Sequence, residues 1–130
     1  MRRLLACLAL IPFLALPAQS EGLRLMMVEQ PGCIYCIRWD AEVGDAYALT
    51  PEGQAAPLLR HRLRAALPDG VTLTRPAVFT PTFILLDAQG RETGRIEGYP
   101  GEDFFWGLLG RLLEDAAVTV PAPGAAGSSG

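Results

Sequence analysis

Residues 29–43 read EQPGCIYCIRWDAEV, and two cysteines, Cys33 and Cys36, stand there with two residues between them. What the pair can do depends on where the chain puts it. Upstream, Leu23 to Val28 (LRLMMV) is almost continuously apolar, the pattern of a strand covered on both faces. Pro31 and Gly32 break that run. Downstream, a helix is expected from about Cys33 to Ala48. Cys36, Trp39, Val43, Ala46 and Tyr47 fall on one stripe at helical spacing, with Arg38, Glu42 and Asp45 opposite. The pair therefore sits at a strand-to-helix junction. Cys36 turns toward the core, and Cys33 lies in the first helical turn, where it can face solvent.

Further out, Thr50 to Gly53 (TPEG) has the cap-then-proline order of a helix start. Leu58 to Leu63 (LLRHRL) alternates weakly and reads as a second, less covered strand. Residues 64–79 match no regular pattern. Pro81 to Asp87 (PTFILLD) is a buried strand, Ala88-Gln89-Gly90 a turn, and Arg91 to Gly98 (RETGRIEG) its polar partner strand. A last helix is expected from Gly101 to about Ala116. Phe104, Phe105, Leu108, Leu109, Leu112, Leu113 and Ala116 form its apolar face, and Trp106 lies at the edge. Strand, helix and strand make one right-handed crossover unit. The hairpin and last helix complete an α/β fold, a four-stranded mixed sheet with helices expected on both faces.

The ends read differently. Arg2 and Arg3 precede the apolar run Leu4 to Leu16, which is of signal-peptide length and too short to span a bilayer. Ala18 and Ser20 are small residues at −3 and −1 of a cut before Glu21. Residues 1–20 are thus expected to be a cleaved secretory signal that leaves no stable membrane anchor. Most of the apolar run follows Cys7 rather than preceding it, which argues against a lipoprotein box. Cleavage removes two of 11 arginines and none of 14 acids, moving the net charge from −3 to about −5. With no basic patch, nucleic acid is not expected as a partner. Residues 119–130, rich in Pro, Ala, Gly and Ser, are expected to be a disordered tail. Residues 21–118 would form one domain containing only Cys33 and Cys36, which is no disulfide-rich scaffold.

These motifs together resemble the thioredoxin family. CIYC follows the first strand, Thr80-Pro81-Thr82 opens the third about 45 residues later, and GRETGRIEGYPGEDFFWGLL closes the domain. The resemblance covers about residues 22–116 and implies a minimal thioredoxin (glutaredoxin-like) fold. It also implies a cis Pro81 facing the cysteines, with Thr80 offering its backbone to a partner and Ile34 and Tyr35 beside it. Ile34-Tyr35 departs from the Gly-Pro of thioredoxin itself, which leaves the redox potential open. The place of thioredoxin's buried acid, six residues before the first cysteine, is taken by Met27. Glu29 lies closer and is the candidate for proton transfer. The end-to-end pattern, from PGCIYC through TPEG and TPTF, is most similar to small periplasmic thioredoxin-like proteins of bacterial sulfur (thiosulfate) oxidation systems. That likeness implies a monomeric periplasmic reductant. It would keep a cysteine on a sulfur-carrier protein reduced, drawing electrons from a membrane thiol transporter.

The residue types fit disulfide exchange. A helix N-terminus presents unpaired N–H groups and partial positive charge, which stabilise a thiolate at Cys33. Cys36, one turn on, is the expected second thiol that attacks the mixed disulfide and frees the partner. The expected redox group is this Cys33–Cys36 disulfide, with no other cofactor and no metal. Structural zinc wants four ligands, and the domain offers two cysteines and His61. Copper(I) carriage by the same thiols is the alternative binding function, and a general disulfide-folding factor the alternative redox one. A Cys–His hydrolase would need His61 beside Cys33. The only serines are Ser20, Ser128 and Ser129, and there is no lysine, so serine hydrolysis within the domain and Schiff-base chemistry are excluded. Trp39, Tyr47, Phe104 and Phe105 read as core. Trp106 and Tyr99, at element edges, are candidates for lining a partner groove.

Overall fold

The computed structural model of the protein describes residues 22–119. The expected leader and all but the first residue of the expected tail lie outside that range. In chain order the elements are β1 (Arg24–Glu29), α1 (Ile34–Trp39), a π-helical stretch (Asp40–Gly44), α2 (Asp45–Tyr47), α3 (Pro51–Ala55), β2 (Leu58–Arg62), β3 (Thr82–Leu86), β4 (Glu92–Glu97) and α4 (Glu102–Thr119). The sheet order is β2-β1-β3-β4. β1 and β2 are parallel, with Met27 opposite Arg60. The β1–β3 and β3–β4 pairs are antiparallel, with Met27 opposite Phe83 and Phe83 opposite Ile96. This is the four-stranded mixed sheet of a thioredoxin-like α/β fold.

The two central strands carry the core because they are apolar on both faces. Leu25, Met27, Phe83, Leu85 and Ile96 point to one side, against Trp39, Val43, Tyr47, Phe105 and Leu109. Met26, Val28, Ile84 and Leu86 point to the other, against Val71, with Leu59, Leu63, Leu73 and Ala77 packed around them. Among the described residues the helices all lie on the first side: α1 and α4 bury their stripes there, and α3 meets α4. Helices were expected on both faces; among the described residues the second face carries none. The second face is covered by the irregular segment 64–79, which Pro68, Pro76 and the Asp69-Gly70 turn keep from forming a helix. Its backbone meets the sheet at the isolated bridge Thr72–Arg91.

Two helix faces also differ from expectation. Ala46 is exposed and Tyr47 buried, because the π-helical stretch adds a residue to its turn and rotates the residues after it. The buried positions thus run Trp39, Val43, Tyr47, four apart. On α4, Phe105, Leu109 and Ala116 are buried, whereas Phe104 is 71% exposed and Leu108 38% exposed. The helix seats a narrower stripe than the full apolar set. Trp106 stacks on Tyr47 at 6.0 Å rather than lining a groove. Tyr99 is buried, with its hydroxyl donated to the Glu42 carboxylate.

Candidate functional site

β1 delivers the chain to the site. It ends at Glu29, and the Pro31-Gly32 turn, with Gly32 at φ +75°, reverses it into α1. Cys33 is the N-cap of that helix, and its Sγ accepts a hydrogen bond from the Cys36 N–H at 3.1 Å. A sulfur thus does what a serine or aspartate oxygen does at other helix starts. Cys33 and Cys36 are joined by a disulfide, with Cα atoms 5.2 Å apart. The pair is less open than the sequence suggested: Cys33 is 8% exposed and Cys36 5%. In the bridged form Cys33 folds its sulfur against the helix end, so it does not stand out into solvent.

A crevice of about 290 Å³ opens beside the disulfide, lined by Glu29, Gln30, Cys33, Cys36, Asp40, Arg60 and Arg62, among others. Arg60 reaches across it. Its guanidinium donates to Glu29 at 2.6 Å and to Asp40, and lies 5.9 Å from the centre of the Trp39 ring. Asp40 first, and then Glu29, hold the guanidinium above its already high ordinary pKa. Met27 is fully buried in the same core cluster as both cysteines, so a thioether stands where thioredoxin has its acid. Glu29 is the carboxylate at the crevice mouth that the sequence singled out. Arg60, Asp40 and Gln30 were not singled out. The parallel pairing that places Met27 against Arg60 depends on strand register, which the sequence does not display. Asp40, four residues past Cys36, could have been found by helical spacing.

The Thr80–Pro81 peptide is cis. Gln30 donates its side-chain amide to the Thr80 hydroxyl at 3.0 Å, tying this loop to the turn before Cys33. Pro81 is buried and Thr80 half-buried. The Pro81 carbonyl accepts from Gly98 N–H at 2.7 Å, and Thr82 closes the turn onto the Phe79 carbonyl. Ile34, Tyr35, Ile37, Val78 and Phe79 are large exposed hydrophobics. His61 goes elsewhere. Its neighbours Arg60 and Arg62 line the cysteine crevice, whereas His61 lines a separate cavity of about 490 Å³ with Val28, Leu63 and Val71 on the other face. The geometry for a Cys–His hydrolase is therefore not formed.

The far end of the site helix is anchored by Glu42, which accepts from Tyr99 and from Arg38 at 2.8 Å. The Tyr99 hydroxyl first, then Arg38, hold this carboxyl below its ordinary range. Burial first, then the bond to Glu42, pushes the Tyr99 phenol up.

A thiol pair that can close within one helical turn, at a helix N-terminus and beside an open crevice, can exchange disulfides with another molecule. The family model of a thioredoxin-like domain matches residues 15–113. The chain belongs to the thioredoxin-like family. Among solved structures, this thioredoxin-like chain is similar to the periplasmic thioredoxin SoxS from Paracoccus pantotrophus in its reduced form. The two share 58% identity, with a TM-score of 0.70, over 72% of this chain and 98% of that one. No curated protein matches the chain. The protein is a thiol–disulfide oxidoreductase of thioredoxin fold.

Proposed function

We propose that the protein is a periplasmic reductant of protein disulfides, acting as a monomer, and that its partner is a sulfur-oxidation carrier protein whose cysteine it keeps reduced. The observation that carries the redox chemistry is the N-cap position of Cys33, with the Cys36 N–H aimed at its sulfur. Once the pair is reduced, that donor and the helix end favour a thiolate at Cys33. The thiolate attacks a partner disulfide. One partner sulfur joins Cys33, and the other leaves as a thiolate and takes up a proton. Cys36 then loses its proton, with Glu29 as the acceptor at the crevice, and attacks the Cys33 sulfur. This frees the second partner thiol and closes Cys33–Cys36. Two electrons and two protons pass to the partner, and a membrane thiol transporter restores them. The partner strand lies along Thr80 and Pro81, with Ile34 and Tyr35 against it. The periplasmic setting and the sulfur-carrier partner are supported by the likeness to SoxS and by the leader expected over residues 1–20. The N-terminal sequence of protein recovered from the periplasm tests that leader.

Cys36→Ser tests the reading as a whole. The nucleophile remains and the second thiol is gone, so mixed disulfides with the partner accumulate, dissolve on reduction and vanish in a Cys33→Ser, Cys36→Ser variant. A small sulfur carrier as the dominant trapped protein is the expected result. Many unrelated secreted proteins would point instead to general disulfide folding. No trapped protein, together with copper copurifying with the unmodified chain, would replace redox exchange by metal carriage.

A further inference from the structure

The segment that replaces a helix on the second face of the sheet leads directly into Val78, Phe79, Thr80 and Pro81. What holds it is a buried ion pair on β4. Strand pairing passes from Leu85–Gly94 to Leu86–Glu92, so Thr93 is an extra residue, a β-bulge. In a regular strand, residues three apart face opposite sides. Here the bulge brings Glu92, opposite Leu86, and Arg95, opposite Ile84, onto the same face. They pair through two bonds of 2.6 and 2.7 Å, with side chains only 3% and 6% exposed.

Both partners also bind the segment. Glu92 accepts from the Thr74 N–H at 2.8 Å, and Arg95 donates to the Arg75 carbonyl at 2.7 Å and to the Pro76 carbonyl at 3.5 Å. Three consecutive residues are thus fixed to β4 by two side chains. Two residues further on, Val78 and Phe79 are 67% and 58% exposed. A buried ion pair is in general no more stabilising than apolar residues of similar volume. What such residues could not supply here is the set of directed bonds to the Thr74–Pro76 backbone.

We infer that Glu92 and Arg95 are positioning residues for the partner-binding edge, setting the path of the chain into Val78–Pro81. The inference rests on the proposed docking of the partner along Thr80 and Pro81. An Arg95→Met, Glu92→Met variant removes the bonds to the segment without leaving a buried unpaired charge. Arg95→Lys keeps the charge beside Glu92 but not the planar fork that reaches two carbonyls.

Two chromogenic probes separate docking from chemistry. One is an extended peptide of about eight residues whose central cysteine carries a nitrothiobenzoate disulfide. The other is the same disulfide on free cysteine. With each protein reduced beforehand and followed through a single turnover, both variants are expected to raise the half-saturating peptide concentration (KM) by about three- to tenfold at an unchanged limiting rate (kcat). The small disulfide should react as before, and Cys33 should alkylate at the wild-type rate. Phe79→Ala, on the edge itself, should raise the peptide KM too. If Phe79→Ala raises it and the β4 variants do not, the positioning role is overturned while the docking reading stands. If no variant raises it, the docking reading falls and takes the inference with it. If both β4 variants fail to fold, or lose rate equally on both probes, the pair is structural and the inference is wrong.

Discussion

Cys33 caps a helix with sulfur, and the consequence is asymmetry between two cysteines that are almost equally covered when bridged. Reduction separates them. Cys33 keeps the Cys36 N–H and the helix end, which favour its anion, whereas Cys36 lies within α1 rather than at its cap. In the reduced protein Cys33 should therefore alkylate with a midpoint well below the value of about 8.5 for a free thiol. Cys36 should react slowly until the chain unfolds. Mass-resolved iodoacetamide labelling against pH measures both, and equal rates would remove the nucleophile assignment. A second pH effect belongs to Glu42. Its folded pKa is lowered by Tyr99 and then by Arg38. Its contribution to stability is therefore present above the ordinary carboxylate range and is lost as pH falls through the lowered value. Tyr99, raised by burial and by Glu42, acts in the opposite direction. Its contribution is present below the ordinary phenol value of about 10 and is lost as pH rises through the raised one. Tyr99→Phe should melt below wild type near neutrality, and the gap should narrow as pH falls below the ordinary carboxylate range and again as it rises above about 10. Thermal melts across that range check this, and a gap independent of pH would mean that packing, not the Glu42 bond, is what Tyr99 supplies.

The elements that the sequence disclosed are those whose burial is simple. β1 and β3 are apolar on both faces and read as central strands; Thr50 caps α3 through its hydroxyl to Gly53 N–H, as its Thr-Pro order implied. The site was legible for the same reason: a cysteine pair between a buried strand and a helix, and a Thr-Pro before another buried strand. The parts that were not legible depend on geometry that no single-residue pattern carries. The π-helical stretch rotates the register so that Tyr47 keeps its expected place in the core and Ala46 does not. The bulge at Thr93 turns a strand of polar letters into a pair of buried charges. Residues 64–79 matched no regular pattern, and nothing in their sequence displayed that they cover a sheet face. The junction after the π-helical stretch carries its own prediction. The Tyr47 carbonyl accepts both the Thr50 N–H and the Thr50 hydroxyl, and α3 passes it so closely that a Cβ on Gly53 would overlap it. Gly53→Ala should therefore cost about 1–3 kcal/mol in urea unfolding through overpacking. An ordinary helical glycine would instead gain up to about 1 kcal/mol on replacement by alanine, and a gain here would show that α3 is free to move away from Tyr47.

Across the whole molecule the two faces of the sheet are built unequally. Among the described residues the helix face gathers 15 buried residues into one cluster, including the rings of Trp39, Tyr47, Phe83 and Phe105, whereas the other face gathers five. Beneath the segment on that second face lies the open cavity of about 490 Å³. Buried apolar contact is what makes opening costly, so local stability should track the same division. Hydrogen exchange reads it amide by amide. Met26, Met27, Ile84 and Leu85, in strands paired on both edges, should exchange only through global unfolding. Thr72 and Thr74, whose N–H groups bond to the Gly90 carbonyl and the Glu92 carboxylate, should be intermediate. Arg64, Ala66 and Leu67, on the exposed turn after β2, together with Val78 and Phe79, should exchange through local opening and fastest of these groups. The order has a functional sense. The partner-binding edge would be a compliant stretch held at one end by β4 and at the other by the Pro81 carbonyl on Gly98, next to a cysteine pair set in the rigid face. In the Arg95→Met, Glu92→Met variant the protection of Thr74 should fall to that of Leu67, while β1 and β3 keep theirs. If Leu67 and Phe79 instead exchange as slowly as Met27, the segment opens only with the core. The edge would then be a rigid template, and a positioning pair on β4 would have nothing left to position.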